Sequence, residues 1–189
     1  MPLIAISGSQ GSGKSTATNR LRDRGFKIIE RKTSRSILEE WNVSLSEVNN
    51  DRNLTIRFQN EIVMRKWQDE QYAVQSNEVY ITERTYADLF TYALVSVGKD
   101  NDYSSWLTEY YHKCISAQQT YSMVYYLKAG HFAPEDDGVR GIGIHYSRMI
   151  DLVMNDITTQ MTVPHKLNSI ATPCLDQRVA IIESQIRCL

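Results

Sequence analysis

The chain opens on an apolar run, Leu3-Ile4-Ala5-Ile6, that gives way at once to Gly8-Ser9-Gln10-Gly11-Ser12-Gly13-Lys14-Ser15. Few patterns restrict a fold as strongly. A short apolar run ending at glycine reads as a buried strand, and a helical stretch begins near Gly13, so the glycines occupy a strand-to-helix turn. The eight residues fit G-x-x-x-x-G-K-[ST] at every fixed position. Glycines let the backbone curl into a nest whose N–H groups converge on phosphate oxygens, and the helix adds its positive dipole end. In such a loop Lys14 reaches the β- and γ-phosphates and the Ser15 hydroxyl ligates Mg2+. Gly8, Ser9, Gln10, Gly11, Ser12, Gly13, Lys14, Ser15 and Thr16 are the expected nucleotide-binding set. A ligand-free Gly/Ser turn is the alternative, and the strand before and helix after argue against it.

Beyond the loop, strand and helix signals alternate. Residues 13–24 read as a helix closed by Gly25, 26–29 as a strand ending at Glu30, and 34–41 as a helix before a polar turn. A long amphipathic helix follows over 54–75, with Leu54, Phe58 and Ile62 recurring at helical spacing. Strands are expected at 79–82, 123–127 and, more weakly, 166–170. Helices are expected at about 86–97, 104–118, 144–160 and 173–186, with a Gly/Pro/Asp loop over 128–143. Apolar strands separated by helices specify a parallel sheet covered on both faces. The expected fold is a single α/β domain over residues 1–189 with a five-stranded parallel sheet.

Composition removes several classes. A formal net charge of −1 gives no overall basic footprint for nucleic acid. The three cysteines are scattered, without CxxC spacing, and read as reduced thiols in a cytoplasmic setting rather than a disulfide framework. No apolar stretch approaches the ~20 residues of a membrane span, and with an N-terminal segment that reads as a core strand no cleavable signal is expected. The four histidines lack metal-ligand spacing. Trp41, Trp67, Tyr72 and Tyr86 can stack a base, although aromatics at helical spacing more often belong to the core.

A phosphate loop implies a nucleoside triphosphate, not a reaction. In parallel sheets ligands sit beyond the carboxyl edge, so acids at strand ends come next. Glu30 follows the second strand, and Glu83 the third, in Ile81-Thr82-Glu83-Arg84-Thr85. One carboxylate can serve the Mg2+ side and the other can take a proton from an attacking hydroxyl. Arg84 can stabilise charge in transit.

With these residues the chain resembles the thymidylate kinase and deoxyribonucleoside kinase branch of the P-loop kinases. The resemblance rests on the phosphate loop, Glu30, Phe58-Gln59 and Glu83-Arg84-Thr85 in that order. It implies a P-loop kinase domain with a lid at about 128–148, ATP as donor and Mg2+ as its partner. It implies Lys14, Glu30, Arg84 and Arg140 as the catalytic set, Glu30 being the base, and Ser15 and Glu83 on the metal side. It also implies Gln59 against the nucleobase edge and Arg84 and Asp88 among the substrate-binding residues. The proline that many nucleoside kinases carry after that glutamate is replaced here by the basic run Arg31-Lys32-Thr33-Ser34-Arg35. The stretch through Tyr86, Asp88 and Tyr92 is equally similar to the ribosylnicotinamide-kinase-like group. Arg31 and Arg35 suit an acceptor that already carries phosphate, although a solvated charged face reads as well. Arg140, between Gly138 and Gly141, would meet the transferring group from the lid, with Arg148 as second choice.

The leading expectation is therefore transfer of the γ-phosphoryl of ATP to a nucleoside- or nucleotide-type acceptor. An alternative is a DNA kinase, resembling viral enzymes that phosphorylate 5-hydroxymethyluracil in DNA, with an extruded DNA base as acceptor. A non-catalytic nucleotide switch or small ATPase ranks last. No membrane partner is expected, and the oligomeric state stays open, with a homodimer as one option.

Overall fold

The computed structural model describes residues 2–30, 34–130 and 144–188. Strand β1 (Leu3–Ser7) is buried along its whole length, and α1 (Lys14–Asp23) returns along the sheet. Then come β2 (Lys27–Ile28), α2 (Ser34–Trp41), α3 (Leu45–Asn50) and α4 (Arg52–Gln75). Next are β3 (Tyr80–Glu83), α5 (Tyr86–Val97), α6 (Ser104–Gln118) and β4 (Tyr121–Leu127). Helix α7 (Ile144–Met161), β5 (Leu167–Ile170) and α8 (Leu175–Ile186) complete the order.

The five strands run parallel in the order β2-β3-β1-β4-β5. The expected α/β fold with a five-stranded parallel sheet is what the chain forms. Register pairs Ile6 with both Glu83 and Tyr125, so the ends of β1, β3 and β4 lie level at the carboxyl edge. Two apolar layers sandwich the sheet. One, between α1, α8 and the strands, holds Ile4, Ile6, Ala17, Leu21, Ile81, Leu127, Val179 and Ile182. The other packs α5 and α6 against Leu3, Ala5, Tyr121 and Val124. A smaller cluster of Ile37, Leu38, Val48 and Phe58 fastens α2 and α3 to α4.

Several expectations change in detail. The polar turn after α2 contains α3, whose six residues are too few for a helical period to show. It is set by a capping box: Ser44 Oγ accepts from the Glu47 N–H while the Glu47 carboxylate accepts from the Ser44 N–H. Helix α4 begins at Arg52, capped by Asp51, and β4 begins at Tyr121. Trp67 and Tyr72, read from their spacing as core or base-stacking aromatics, are 47% and 69% exposed, and Tyr72 meets the Tyr80 ring edge-on with centroids 5.7 Å apart. No helix of the described residues is long and apolar enough to cross a membrane. The segment 131–143, holding Arg140, and residues 31–33, holding Arg31 and Lys32, lie outside the described residues.

Candidate active site

The turn from β1 to α1 has the conformation that its glycines allow. Gly8, Gly11 and Gly13 have φ of 142°, 73° and 80°. Gly8 is also packed too tightly for any side chain: a Cβ there would lie 2.5 Å from the Leu127 carbonyl oxygen and 2.7 Å from Ser12 Oγ. Gly8→Ala is expected to distort the loop and abolish binding of an ATP analogue, measured by calorimetry, while the far-UV circular dichroism of the sheet and helices persists.

Lys14 folds back over the loop and is nearly buried. Its ammonium donates to the carbonyls of Gly8 (2.5 Å) and Ser9 (2.8 Å) and to Ser12 Oγ (3.2 Å). Ser15 and Thr16 are exposed at the start of α1, which has no side-chain cap and no acid in its first turn. That leaves the positive end of the helix open to an anion. Ser9 is held from outside: its hydroxyl donates to Asp151 of α7 (2.9 Å), which also accepts from the Tyr126 hydroxyl (2.9 Å).

The end of β3 brings Glu83 to the loop. Its carboxylate accepts from Ser15 Oγ at 3.0 Å and from Thr18 Oγ1. These are oxygen donors of the kind Mg2+ takes alongside phosphate oxygens and water. Among the described residues no cluster of three or more His, Cys, Asp or Glu side chains is placed to bind a metal without such help.

Arg84 follows with φ of 63°, a left-handed conformation that is uncommon for a branched or long side chain and concentrates at functional sites. Its guanidinium lies 5.1 Å from the centre of the Tyr92 ring. Burial works against its charge, yet Tyr92 and the Asp88 and Glu83 carboxylates raise its pKa above the usual arginine value. Asp88 is fully buried; Oδ1 accepts from Ser7 (2.5 Å) and Thr85 (2.7 Å), and Oδ2 has no partner among the described residues.

A cavity of about 300 Å3 opens beside the loop. Gln10 of the loop, Arg84 and Tyr92 line it. Leu38, Phe58, Ile62 and Leu89 supply apolar surface, and Asn49 and Gln59 supply amides. Helix α7 closes it with Tyr146, Ser147 and Ile150. Sequence reading did not assign Asn49, Tyr92, Tyr146, Ser147 or Ile150 to the site, although the expected lid at about 128–148 takes in Tyr146 and Ser147. Only Ser147, whose buried Oγ has no partner among the described residues, marks the α7 wall as polar and unsatisfied.

The structure thus brings Gln10 of the phosphate loop, Arg84 and Gln59 to one cavity, holds Glu83 against Ser15 and Thr18 of α1, and ties Asp88 to Ser7 and Thr85. It does not bring Glu30 there. That carboxylate is 82% exposed and ion-paired with Arg22 of α1. Arg35 and Arg148 are exposed, and Arg35 is not among the residues lining the cavity.

A parallel sheet with a glycine-rich nest between its central strand and first helix defines a phosphate-loop nucleotide-binding protein. The family model described as "AAA domain" matches residues 3–171, and the chain belongs to that family. No curated protein matches it in sequence. Among solved structures it is similar to deoxyadenosine kinase from M. mycoides with dCMP and a flexible dCDP bound. There the TM-score is 0.71 at 15% identity, over 99% of this chain and 100% of that one. It is also similar to NadR protein in complex with NAD and AMP-PNP, with a TM-score of 0.69 at 10% identity. That match covers 97% of this chain and 49% of NadR. Likeness at such low identity establishes the fold.

Proposed function

We propose that this protein is a kinase moving the γ-phosphoryl group of ATP to a nucleoside- or nucleotide-type acceptor held in the cavity between the phosphate loop and Arg84. One observation carries the reading: Gln10 of the loop lines the same cavity as Arg84 and Gln59, so a donor γ-phosphate and an acceptor would meet above the ends of β1 and β3. The amides of Asn49 and Gln59 suit a base edge and the apolar walls suit its faces. Similarity to deoxyadenosine kinase, whose structures hold dCMP, dATP or dCTP, supports the acceptor class.

Lys14 stabilises the transferring phosphate and Arg84 the charge passing between donor and acceptor. Ser15 and Glu83 would hold Mg2+, which would supply positive charge against the charge that develops on the phosphates during transfer. Glu83→Gln is expected to move the Mg2+ concentration for half-maximal rate upward severalfold, measured by titrating Mg2+ at saturating ATP. Glu30 remains the candidate base. An exposed ion pair contributes about 0–1 kcal/mol, so leaving Arg22 costs it little. All three cysteines are free, and burial pushes the Cys114 thiol up to about 12.

The test is ADP formation in a coupled assay, alone and with nucleosides, their monophosphates or hydroxymethylated DNA. A rate that rises at least about tenfold with one acceptor supports a kinase. A fast rate indifferent to every acceptor identifies an ATPase, and a response to hydroxymethylated DNA alone moves the reading to a DNA kinase.

A further inference from the structure

The buried polar group least explained by the phosphate-loop pattern is Arg178, on the first turn of α8. It is 0% exposed, in a layer otherwise formed by Ile182, Val179 and Leu21. Its guanidinium donates Nη1 to the Ser12 carbonyl (2.5 Å), Nη2 to the Lys128 carbonyl (3.0 Å) and Nε to the Thr172 carbonyl (2.6 Å). One side chain thereby ties the phosphate loop to the end of β4 and to the turn entering α8.

A tertiary stitch needs no charge. Taking a cation out of water is costly, and an apolar side chain of similar volume commonly fills such a space with no loss of stability. Burial lowers the Arg178 pKa, yet arginine does not lose its proton in proteins. A fixed positive charge therefore sits under a loop built to receive anions, in surroundings where charges act more strongly than in water.

The point of attachment is specific. The Ser12 carbonyl shares its peptide unit with the Gly13 N–H, at the uncapped entrance of α1. No cis peptide occurs among the described residues, so carbonyl and N–H of this unit point in opposite directions. A charge-assisted bond on the carbonyl polarises the unit and strengthens its N–H as a donor on the other side. It also fixes the φ of 80° at Gly13 from outside the loop.

We propose that Arg178 is a positioning residue for the donor phosphates, acting through the Ser12–Gly13 peptide. The inference uses only the phosphate-loop part of the proposed function and does not depend on the acceptor.

The test compares Arg178→Met, which removes the charge at similar volume, with Arg178→Lys, which keeps the charge and loses the fork. Calorimetry would measure binding of Mg2+·AMP-PNP, tripolyphosphate and adenosine, beside a thermal melt. Arg178→Met is expected to weaken AMP-PNP and tripolyphosphate by about tenfold to a hundredfold, the scale of one charged hydrogen bond, and to leave adenosine unchanged. Arg178→Lys should fall between, and it serves alone if Arg178→Met does not fold. A lower melting temperature with wild-type affinity for AMP-PNP in the folded variant would show a structural stitch only and overturn the proposal. Equal weakening of adenosine and tripolyphosphate would overturn it too, because the effect would not follow the phosphates. Wild-type protein that binds neither AMP-PNP nor tripolyphosphate would remove the phosphate-loop reading itself.

Discussion

Lys14→Ala is expected to lower phosphoryl transfer by about 10²–10³-fold or more while the fold survives. Lys14 belongs to the first turn of α1, and its ammonium bonds to the loop's own Gly8, Ser9 and Ser12. Its removal takes a full charge from the nest without opening the apolar layers, where Ala17 and Leu21 hold α1 to the sheet. Turnover and far-UV circular dichroism should be measured on the same preparation. Activity within about threefold of wild type in a folded variant would contradict a phosphate-binding role for the loop, since an electrostatic group at the reacting phosphate affects the rate far more than that.

The largest effect on stability is expected at Lys66. Lys66 and Glu70, one turn apart on α4, are 1% and 2% exposed at their side chains and bond to each other at 2.5 Å. The ammonium also donates to Thr82 Oγ1 (3.1 Å) and to the Glu83 carbonyl (3.4 Å), beneath the end of β3. Glu70 accepts from the hydroxyls of Tyr86 (2.8 Å) and Tyr121 (3.2 Å). Burial, then the Glu70 carboxylate, push the Tyr121 hydroxyl well above its ordinary pKa, so that it stays a donor. Lys66→Met leaves Glu70 buried without its cation, which costs about 3–5 kcal/mol and lowers the melting temperature by about 6–20 °C in a chain of this size. The double variant K66M/E70Q should recover part of that loss, because the stranded charge is gone while an amide oxygen still accepts from the tyrosines. Urea denaturation of both variants would show it. A single variant within about 1 kcal/mol of wild type would mean that water reaches this network and the pair is not isolated in the core.

Local pattern made the phosphate loop and the parallel sheet legible. The fixed spacing of Gly8, Gly13, Lys14 and Ser15 needs no tertiary information, and fully apolar strands can only be sheathed on both sides. Glu83 and Arg84 were legible because a strand end in such a sheet is a known place. The features that escaped depend on distance in sequence. Arg178 reaches Ser12 across 166 positions, and Asp151 reaches Ser9 across 142. Lys66 and Glu70 resemble an ordinary exposed helical pair until α5 and β4 close over them. Helix α3 was hidden by its shortness, and Val48 is its one buried residue. The order of the strands, with β3 and β4 flanking β1, is what carries Gln59 of α4 and Ser147 of α7 to the same space, and no local pattern records that.

In the proposed reaction the cavity lined by Gln10, Arg84 and Ser147 holds the acceptor. Label transfer from γ-labelled ATP to the acceptor that stimulates ADP formation tests it most directly, in wild type and in Ser147→Trp. The indole would fill space at the α7 wall, while the phosphate loop, which Ser147 does not form, is left in place. Labelled acceptor is expected with the wild type, little or none with Ser147→Trp, and AMP-PNP binding within about threefold in both. Undiminished labelling by Ser147→Trp, or release of the label only as inorganic phosphate by the wild type, would contradict it.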